Sequence, residues 1–378
     1  MTELVASGRD DDRRRRALAA GLVVALVTSV LWVVIRQTGV PVSSSTPSLD
    51  GTILYAVDDG PGWARLWRWD LETNRVRPGP RVREPQELVN AAGAAPGLVG
   101  VTSKDADARS TASLLRFLGP NDAPVPLVRG DLISWSGHGV SVVAVKRGPI
   151  VGGCRPVVIE TRTVIPPLSE RQLAERICGD VLSVGRDSNS TYFTRWNGRT
   201  ADIVLAGYGR IREILPDHAL LSLSPASDML VVPTNALPAI PLAPLAVRAA
   251  DGPPISEVFG TALYFRGLAD PRPYGGANGQ LWIDRVLAWS DDSTSALIAG
   301  RFQGRNGVFQ IATGPGRDLP APRFVGAIDG GTWATFAADA TGIVLTSDVF
   351  SVVRDGTSVP LPLPPDAPSP NGPIVWLP

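Results

Sequence analysis

The chain has 378 residues, 36 of them basic and 36 acidic, with only two histidines and two cysteines. Beyond residue 36 there remain 30 basic against 32 acidic residues, so the bulk of the protein has no basic excess with which to hold nucleic-acid phosphates. His138 and His218 are too few and too far apart for a histidine-rich metal centre, and with no Gly-x-Ser-x-Gly elbow in the chain the usual signs of a Ser-His-Asp hydrolase are missing.

In chain order, the first predicted element is a membrane anchor. Four consecutive arginines, Arg13 to Arg16, precede an uncharged run from Ala17 to Ile35. At about 1.5 Å per residue a helix of that length spans most of a roughly 30 Å hydrocarbon core, and the basic block keeps the N-terminus on the cytoplasmic side. A cleaved signal peptide shares the basic start, but its apolar region is about 7–15 residues and ends at a small-x-small site, whereas here Arg36-Gln37-Thr38-Gly39-Val40-Pro41 follows. The expected organisation is a cytoplasmic tail (1–16), a transmembrane signal anchor (17–36), a Pro/Ser-rich linker (37–49) and an extracytoplasmic domain (50–378). Lysine occurs only at 104 and 146 against abundant Arg, Ala, Gly, Pro and Val, a bias of GC-rich coding that points to a bacterial membrane.

From residue 50 onward, short runs of Val, Ile, Leu, Tyr, Phe and Trp are punctuated by Gly, Pro, Asn and Asp, the pattern of an all-β domain. One exception is Ser169 to Ile177, which follows Pro166-Pro167 and reads as a short helix capped by Ser169. Two units alternate along the chain. The first is strand, tight turn, strand, at Leu132–Val140, Leu220–Asp228 and Val286–Ser293, with weaker copies at Val181–Asp187, Trp333–Asp339 and Leu88–Val101. The second is a hairpin, clearest at Leu66–Val76, with looser versions around Asn121, Arg162, Tyr208, Asp251, Pro315 and Gly356. The mean period of about 46 residues is that of a four-stranded propeller blade. The chain ends on a strand without a successor, Ile374–Leu377, and the domain begins on one without a predecessor, Thr52–Tyr55; together they complete one blade, and closing the ring removes open sheet edges. The expected fold is a β-propeller of seven blades, within a range of six to eight.

In an exported domain the isolated cysteines Cys154 and Cys178 most simply form one disulfide, worth roughly 3–4 kcal/mol on loop entropy, with two buried free thiols as the alternative. The carboxylate pairs Asp58-Asp59, Asp105 with Asp107, and Asp291-Asp292 sit in turn contexts and read as backbone-binding residues rather than acid/base machinery. An insertion from about Gly260 to Gln280 carries Tyr264, Phe265, Arg266, Arg272 and Tyr274, the composition of a contact surface, and supplies the candidate partner-binding residues.

The turns Trp289-Ser290-Asp291-Asp292-Ser293 and Trp135-Ser136-Gly137-His138-Gly139 are degenerate copies of a Trp-Ser-Pro-Asp-Gly turn. In this the domain resembles the TolB-type, WD40-like propeller repeat. The resemblance implies an extracytoplasmic protein-interaction platform, although the same repeat also decorates peptidases and lyases. The expectation is a non-catalytic, membrane-anchored binding or scaffolding module without cofactor or metal. Its partners would be the cytoplasmic membrane and a protein of unspecified identity, with a small-molecule or glycan ligand left open. The alternative is an exported propeller hydrolase or lyase with its site in the central channel.

Overall fold

In the computed structural model the described residues are 50–377 without 92–93, 95–96, 108, 117–121, 138, 165–169, 188–189, 197–199, 208–209, 234–261, 265–271, 274–280, 314–318, 329–331, 338–341, 347–348 and 355–356. The tail 1–16, the anchor 17–36 and the linker 37–49 lie outside them. No helix among the described residues is long and apolar enough to cross a membrane. Asp50–Pro378 forms one compact unit.

The unit is all β. It opens with β1 (Thr52–Asp58), β2 (Trp63–Asp70) and β3 (Arg75–Arg83). Six antiparallel sheets of four consecutive strands follow. Sheet 2 is β4 (Pro85–Asn90), β5 (Leu98–Lys104), β6 (Ser110–Arg116) and β7 (Val125–Gly130). Sheet 3 is β8 (Leu132–Trp135), β9 (Ser141–Arg147), β10 (Cys154–Thr163) and β11 (Glu170–Cys178), and sheet 4 is β12 (Asp180–Arg186), β13 (Thr191–Trp196), β14 (Ala201–Gly207) and β15 (Arg210–Leu215). Sheet 5 is β16 (His218–Leu223), β17 (Met229–Pro233), β18 (Ala262–Tyr264) and β19 (Arg272–Pro273). Sheet 6 is β20 (Leu281–Trp289), β21 (Ser295–Phe302), β22 (Arg305–Ala312) and β23 (Arg323–Gly326), and sheet 7 is β24 (Trp333–Phe336), β25 (Ile343–Thr346), β26 (Phe350–Arg354) and β27 (Thr357–Leu361). The last strand, β28 (Ile374–Leu377), returns to β1 and gives sheet 1 the order β28-β1-β2-β3.

Period-two alternation explains how the sheets assemble. In β9, Val143 and Val145 pack with Val181, Phe193 and Val204 of sheet 4, while the intervening Val142 and Ala144 pack with Ala112 and Val128 of sheet 2. In β13, Phe193 faces sheet 3 and Tyr192 faces Leu220, Met229 and Val231 of sheet 5. In β21, Ile298 shares a cluster with Leu230 of sheet 5, and Leu297 with Ile343 and Val353 of sheet 7. Each sheet thus buries both faces, one against each neighbour. The circuit is completed between sheets 7 and 1, where Phe350 meets Tyr55 edge-on and Trp69 at a tilt, each with ring centroids 5.3 Å apart. Successive first strands touch, β8 to β12, β12 to β16, β20 to β24, β24 to β28 and β28 to β4, and so form the inner wall of a β-propeller.

The recurring first turn has a single mechanism. Ser136 Oγ accepts the Ser141 N–H at 3.0 Å, Ser224 Oγ accepts the Asp228 N–H at 2.8 Å and Ser290 Oγ accepts the Ser295 N–H at 2.9 Å. In sheet 4 the carboxylate of Asp187 takes the same role toward the Ser190 N–H. A short side-chain acceptor right after the first strand satisfies the donor that the bend would otherwise strand, which is why Ser or Asp recurs there.

Two sequence expectations need correction. The segment read as a helix ending at Ile177 is instead β11, paired with β10 from Arg162↔Glu170 to Cys154↔Cys178. Its Glu, Arg, Gln, Leu and Ala residues favour a helix locally, but a nine-residue ladder outweighs that weak preference, and a charged sequence suits the outermost strand of a sheet. The insertion placed at Gly260–Gln280 is also corrected, whereas the hairpin placed around Asp251 lies outside the described residues. The third and fourth strands of sheet 5 are β18 and β19, both inside the supposed insertion. The disulfide joins Cys154 to Cys178, with an S–S distance of 2.06 Å. Non-reducing peptide mapping should recover the linked pair, and stoichiometric alkylation of both thiols in unreduced protein would contradict it.

Closure of the ring rests on a four-residue ladder, Thr52↔Leu377 to Tyr55↔Ile374. Trp376 is only 5 % exposed, and its indole N–H donates to the Asp50 carbonyl at 3.1 Å. The backbone bends tightly around that indole at Gly51, whose φ is +104° and where a Cβ would lie 2.7 Å from Trp376 Nε1. Deleting Pro373–Pro378 should expose two strand edges and lose the Trp376 packing, a cost of about 3–5 kcal/mol from the side chain alone. Thermal denaturation should show the truncated protein melting several degrees lower, with aggregation; unchanged melting would contradict closure.

Candidate ligand-binding cleft

The strand order gives the ring two unlike faces. Turns from first to second strand lie on one face. Turns from second to third strand, and the links from each fourth strand to the next sheet, lie on the other.

The first face is knitted by polar contacts between sheets. Arg186 Nε donates to Ser141 Oγ of sheet 3 at 3.1 Å, Ser227 Oγ donates to Asp187 Oδ2 at 2.5 Å, and the Ala226 N–H donates to Ser293 Oγ at 2.9 Å. Gly137 of sheet 3 meets Pro225 of sheet 5 so closely that a Cβ on it would fall 2.1 Å from Pro225 Cγ. These buried polar groups are spent on joining sheets.

The other face holds a cleft of about 600 Å³ where sheet 1 meets its two neighbours. Gly60-Pro61-Gly62 turns β1 into β2 and presents Trp63, while Glu84 comes from the β3–β4 link and Pro85 and Gln86 from the start of β4, Asn371 to Pro373 from the approach to β28, and Trp333 from the start of β24. Local hydrogen bonds fix each wall. The Trp63 N–H donates to the Gly60 carbonyl at 3.0 Å and the Glu84 N–H to the Gly62 carbonyl at 3.2 Å. Asn371 is locked to β1 because its Oδ1 accepts the Asp58 N–H at 2.9 Å and its own N–H donates to the Ala56 carbonyl at 3.2 Å.

Both aromatic walls are braced by arginine. Arg81 lies 5.2 Å over the Trp63 ring and is itself held by Asp59, 2.8 Å from Nε, yet Trp63 remains 41 % exposed. Arg285 lies 4.2 Å over Trp333 and donates to the Thr332 carbonyl. Burial holds its guanidinium below the ordinary arginine pKa, offset in part by Asp284.

Of the carboxylates considered from sequence, Asp59, Asp105, Asp107 and Asp292 fall into structural roles, while Asp58 lines the cleft. Asp59 bridges Arg65 at 3.1 Å and Arg81. Arg129 links Asp105 and Asp107, and the backbone N–H groups of Asp107 and Arg109 donate to Asp105 at 2.9 and 3.0 Å. Partial desolvation pushes the Asp105 carboxyl up, but those bonds outweigh it and leave it below the ordinary range. Asp292 caps its turn by accepting from the Thr294 N–H at 3.0 Å, the Ser290 hydroxyl at 2.7 Å and the Thr294 hydroxyl at 2.8 Å, which lower its pKa. Glu87 on the inner strand β4 differs. Its side chain is exposed to solvent, yet the protein atoms crowded around it raise its pKa by desolvation, opposed by a 3.4 Å hydrogen bond from the Thr102 hydroxyl.

His218 opens β16 and its Nδ1 lies 2.8 Å from the Pro216 carbonyl, a local bond; His138 lies outside the described residues. Of the candidate partner-binding residues, Tyr264 ends β18 and Arg272 begins β19, while Phe265, Arg266 and Tyr274 lie outside the described residues. The cleft residues Trp63, Glu84, Gln86, Trp333 and Asn371 were not singled out from sequence. The available signal was an aromatic residue directly after Gly-Pro-Gly, but convergence of segments some 300 residues apart has no local trace.

No protein-family profile and no curated protein matches the chain. Among solved structures it is similar to a candidate 6-phosphogluconolactonase from Bacteroides uniformis, at 11 % identity and a TM-score of 0.50, over 87 % of this chain and 100 % of that one. The β-propeller domain of the Trilobed protease from Pyrococcus furiosus matches at 8 % identity and a TM-score of 0.49, over 84 % and 95 %. The acylaminoacyl peptidase of Pyrococcus horikoshii matches at 10 % identity and 0.47, over 82 % of this chain and 52 % of that one. The first of these likenesses speaks to the fold alone.

The Asp292 turn gives a pH prediction. A folded-state pKa below the unfolded value means that the stabilisation is present above the ordinary carboxylate range and is lost as pH falls through the folded pKa. Asp292→Ala should therefore lower stability by about 0.5–1.5 kcal/mol at neutral pH. The gap from wild type should narrow below about pH 4, read by denaturant titration at several pH values.

Proposed function

We propose that this protein is a non-catalytic binding module, a seven-bladed propeller of TolB-type repeats held at the outer face of a bacterial cytoplasmic membrane by residues 17–36. The observation that carries the binding reading is the cleft. Its walls converge from three sheets, are fixed by backbone hydrogen bonds, and present an exposed tryptophan, the arrangement expected of a preformed recognition site on a rigid scaffold. The ties of Asp59, Asp105 and Asp292 to arginines and turns favour binding over acid/base work. Topology rests on the Arg13–Arg16 block before the apolar run.

The competing reading, an enzyme with a site in the central channel, rests on Glu87, a solvent-exposed carboxyl on an inner strand whose pKa is raised by the protein atoms crowded around it. It would require a turnover that Glu87→Gln abolishes.

Two measurements test the proposal. A C-terminal reporter that works only outside the cytoplasm should be active, and replacing Arg13–Arg16 by Glu should impair it; activity of a cytoplasm-only reporter at the same fusion point would overturn the topology. A photocrosslinking residue at Gln86 in intact cells should give a discrete adduct that Trp63→Ala abolishes. No adduct, or one indifferent to Trp63, would overturn the cleft as the binding site.

A further inference from the structure

We infer that the cleft binds a neutral oligosaccharide, with a pyranose ring stacked on Trp63. The inference rests on the binding-module reading and adds the ligand class. Three features carry it.

The first is the platform. Trp63 is a rigidly presented large apolar group at the site: its backbone is pinned by the Gly60 carbonyl, its ring is backed by Arg81, and 41 % of it faces solvent. A flat ring with an open area is the natural partner for the C–H face of a sugar, and it loses little conformational freedom on binding.

The second is the mixture of donors and acceptors around it. Asn371 uses Oδ1 on the Asp58 N–H, which turns its amide N–H₂ group into the available donor. Gln86 uses Nε2 on the Glu84 carbonyl at 3.1 Å, which leaves Oε1 as an acceptor. Asp58 and Glu84 add carboxylate acceptors to the lining. Hydroxyl groups are at once donors and acceptors, so a polyol matches both kinds, whereas an apolar ligand would bury them unpaired.

The third is charge. Among the described lining residues Asp58 and Glu84 are acidic and none is basic, while Arg65 and Arg81 share Asp59 beside the cleft and Arg285 lies over Trp333, so acidic and basic groups at the site nearly balance. With no excess of positive charge to hold a phosphorylated or uronic sugar and no excess of negative charge to hold a cation, the site gives a charged ligand no advantage, and a purely cationic ligand would have no use for the Asn371 donor. Neutral sugar is the class that satisfies all three.

Full-length protein in a sugar-free detergent can be titrated by calorimetry with maltohexaose, cellohexaose, chitohexaose and mannohexaose, and with hexagalacturonate and glucose 6-phosphate as anionic probes. At least one neutral oligosaccharide should bind. Trp63→Ala should weaken it at least tenfold, Trp63→Tyr should retain it within about threefold, and Gln86→Ala should weaken it severalfold; circular dichroism confirms that each variant is folded. No binding by any neutral probe, tighter binding of an anionic probe, or binding indifferent to Trp63 would overturn the inference. Failure of every saccharide alongside a Trp63-dependent crosslink from Gln86 would overturn the ligand class and leave the binding-module reading standing; failure of both would remove both.

Discussion

Every sheet in this domain is apolar on both faces, and that constraint governs the rest. A sheet whose alternate residues both demand burial needs a neighbour on each side, and so do those neighbours in turn, until the row closes on itself. Val142 and Val143, adjacent in β9, belong to clusters on opposite sides of one sheet, and Leu297 and Ile298 repeat the arrangement in β21. In an open row the two end faces would meet water. Closure is supplied by β28 pairing with β1, and by Phe350 packing on Tyr55 and Trp69 across the joint between sheets 7 and 1. One short ladder therefore ties the stability of the ring to residues from both ends of the domain.

The same geometry separates construction from recognition. On the face of the first turns, side chains that could have contacted a ligand are engaged with one another: Ser136, Ser224 and Ser290 cap their own hairpins, and Arg186, Asp187, Ser227 and Ser293 join sheets. A polar group removed from water must find a partner, and here the partners lie within the repeat. The opposite face carries links and turns of unequal length, and there Gly60-Pro61-Gly62, the β3–β4 link and the segment before β28 open the cleft. Its position beside the closing sheet follows from that sheet's composite origin. Two separate chain segments, the β1–β2 turn and the approach to β28, meet at the same spot.

Within the cleft, arginine works as mechanical support. Arg81 and Arg285 each lie over an indole, and Arg81 is anchored by Asp59 while Arg285 is turned onto the Thr332 carbonyl. A guanidinium held in this way keeps an aromatic wall upright, and its charge, partly offset by Asp59, balances that of Asp58 and Glu84 at the cleft.

The all-β class, the repeating hairpins, the closing strands and the cysteine pair were legible in the sequence because each depends on local chemistry: period-two alternation, turn residues such as Asp70 and Asn74, and an isolated pair of thiols. Asn74 indeed adopts a positive φ of 49°, and Thr73 donates to Asp70 at 2.9 Å as the turn requires. Reading failed where a distant partner overrode local preference. Glu170–Cys178 has helix-forming residues but is a strand because β10 offers it a complete ladder, and β18 and β19 follow so long a connection that the repeat could not locate them. The cleft was illegible for a related reason. Trp63, Gln86, Trp333 and Asn371 carry no shared motif and become neighbours only when the ring closes. Sequence by itself determined the repeating unit and its turn chemistry, since these arise between residues close in the chain; tertiary structure alone decided the site, since contacts between distant segments exist only once both faces of every sheet have found a partner.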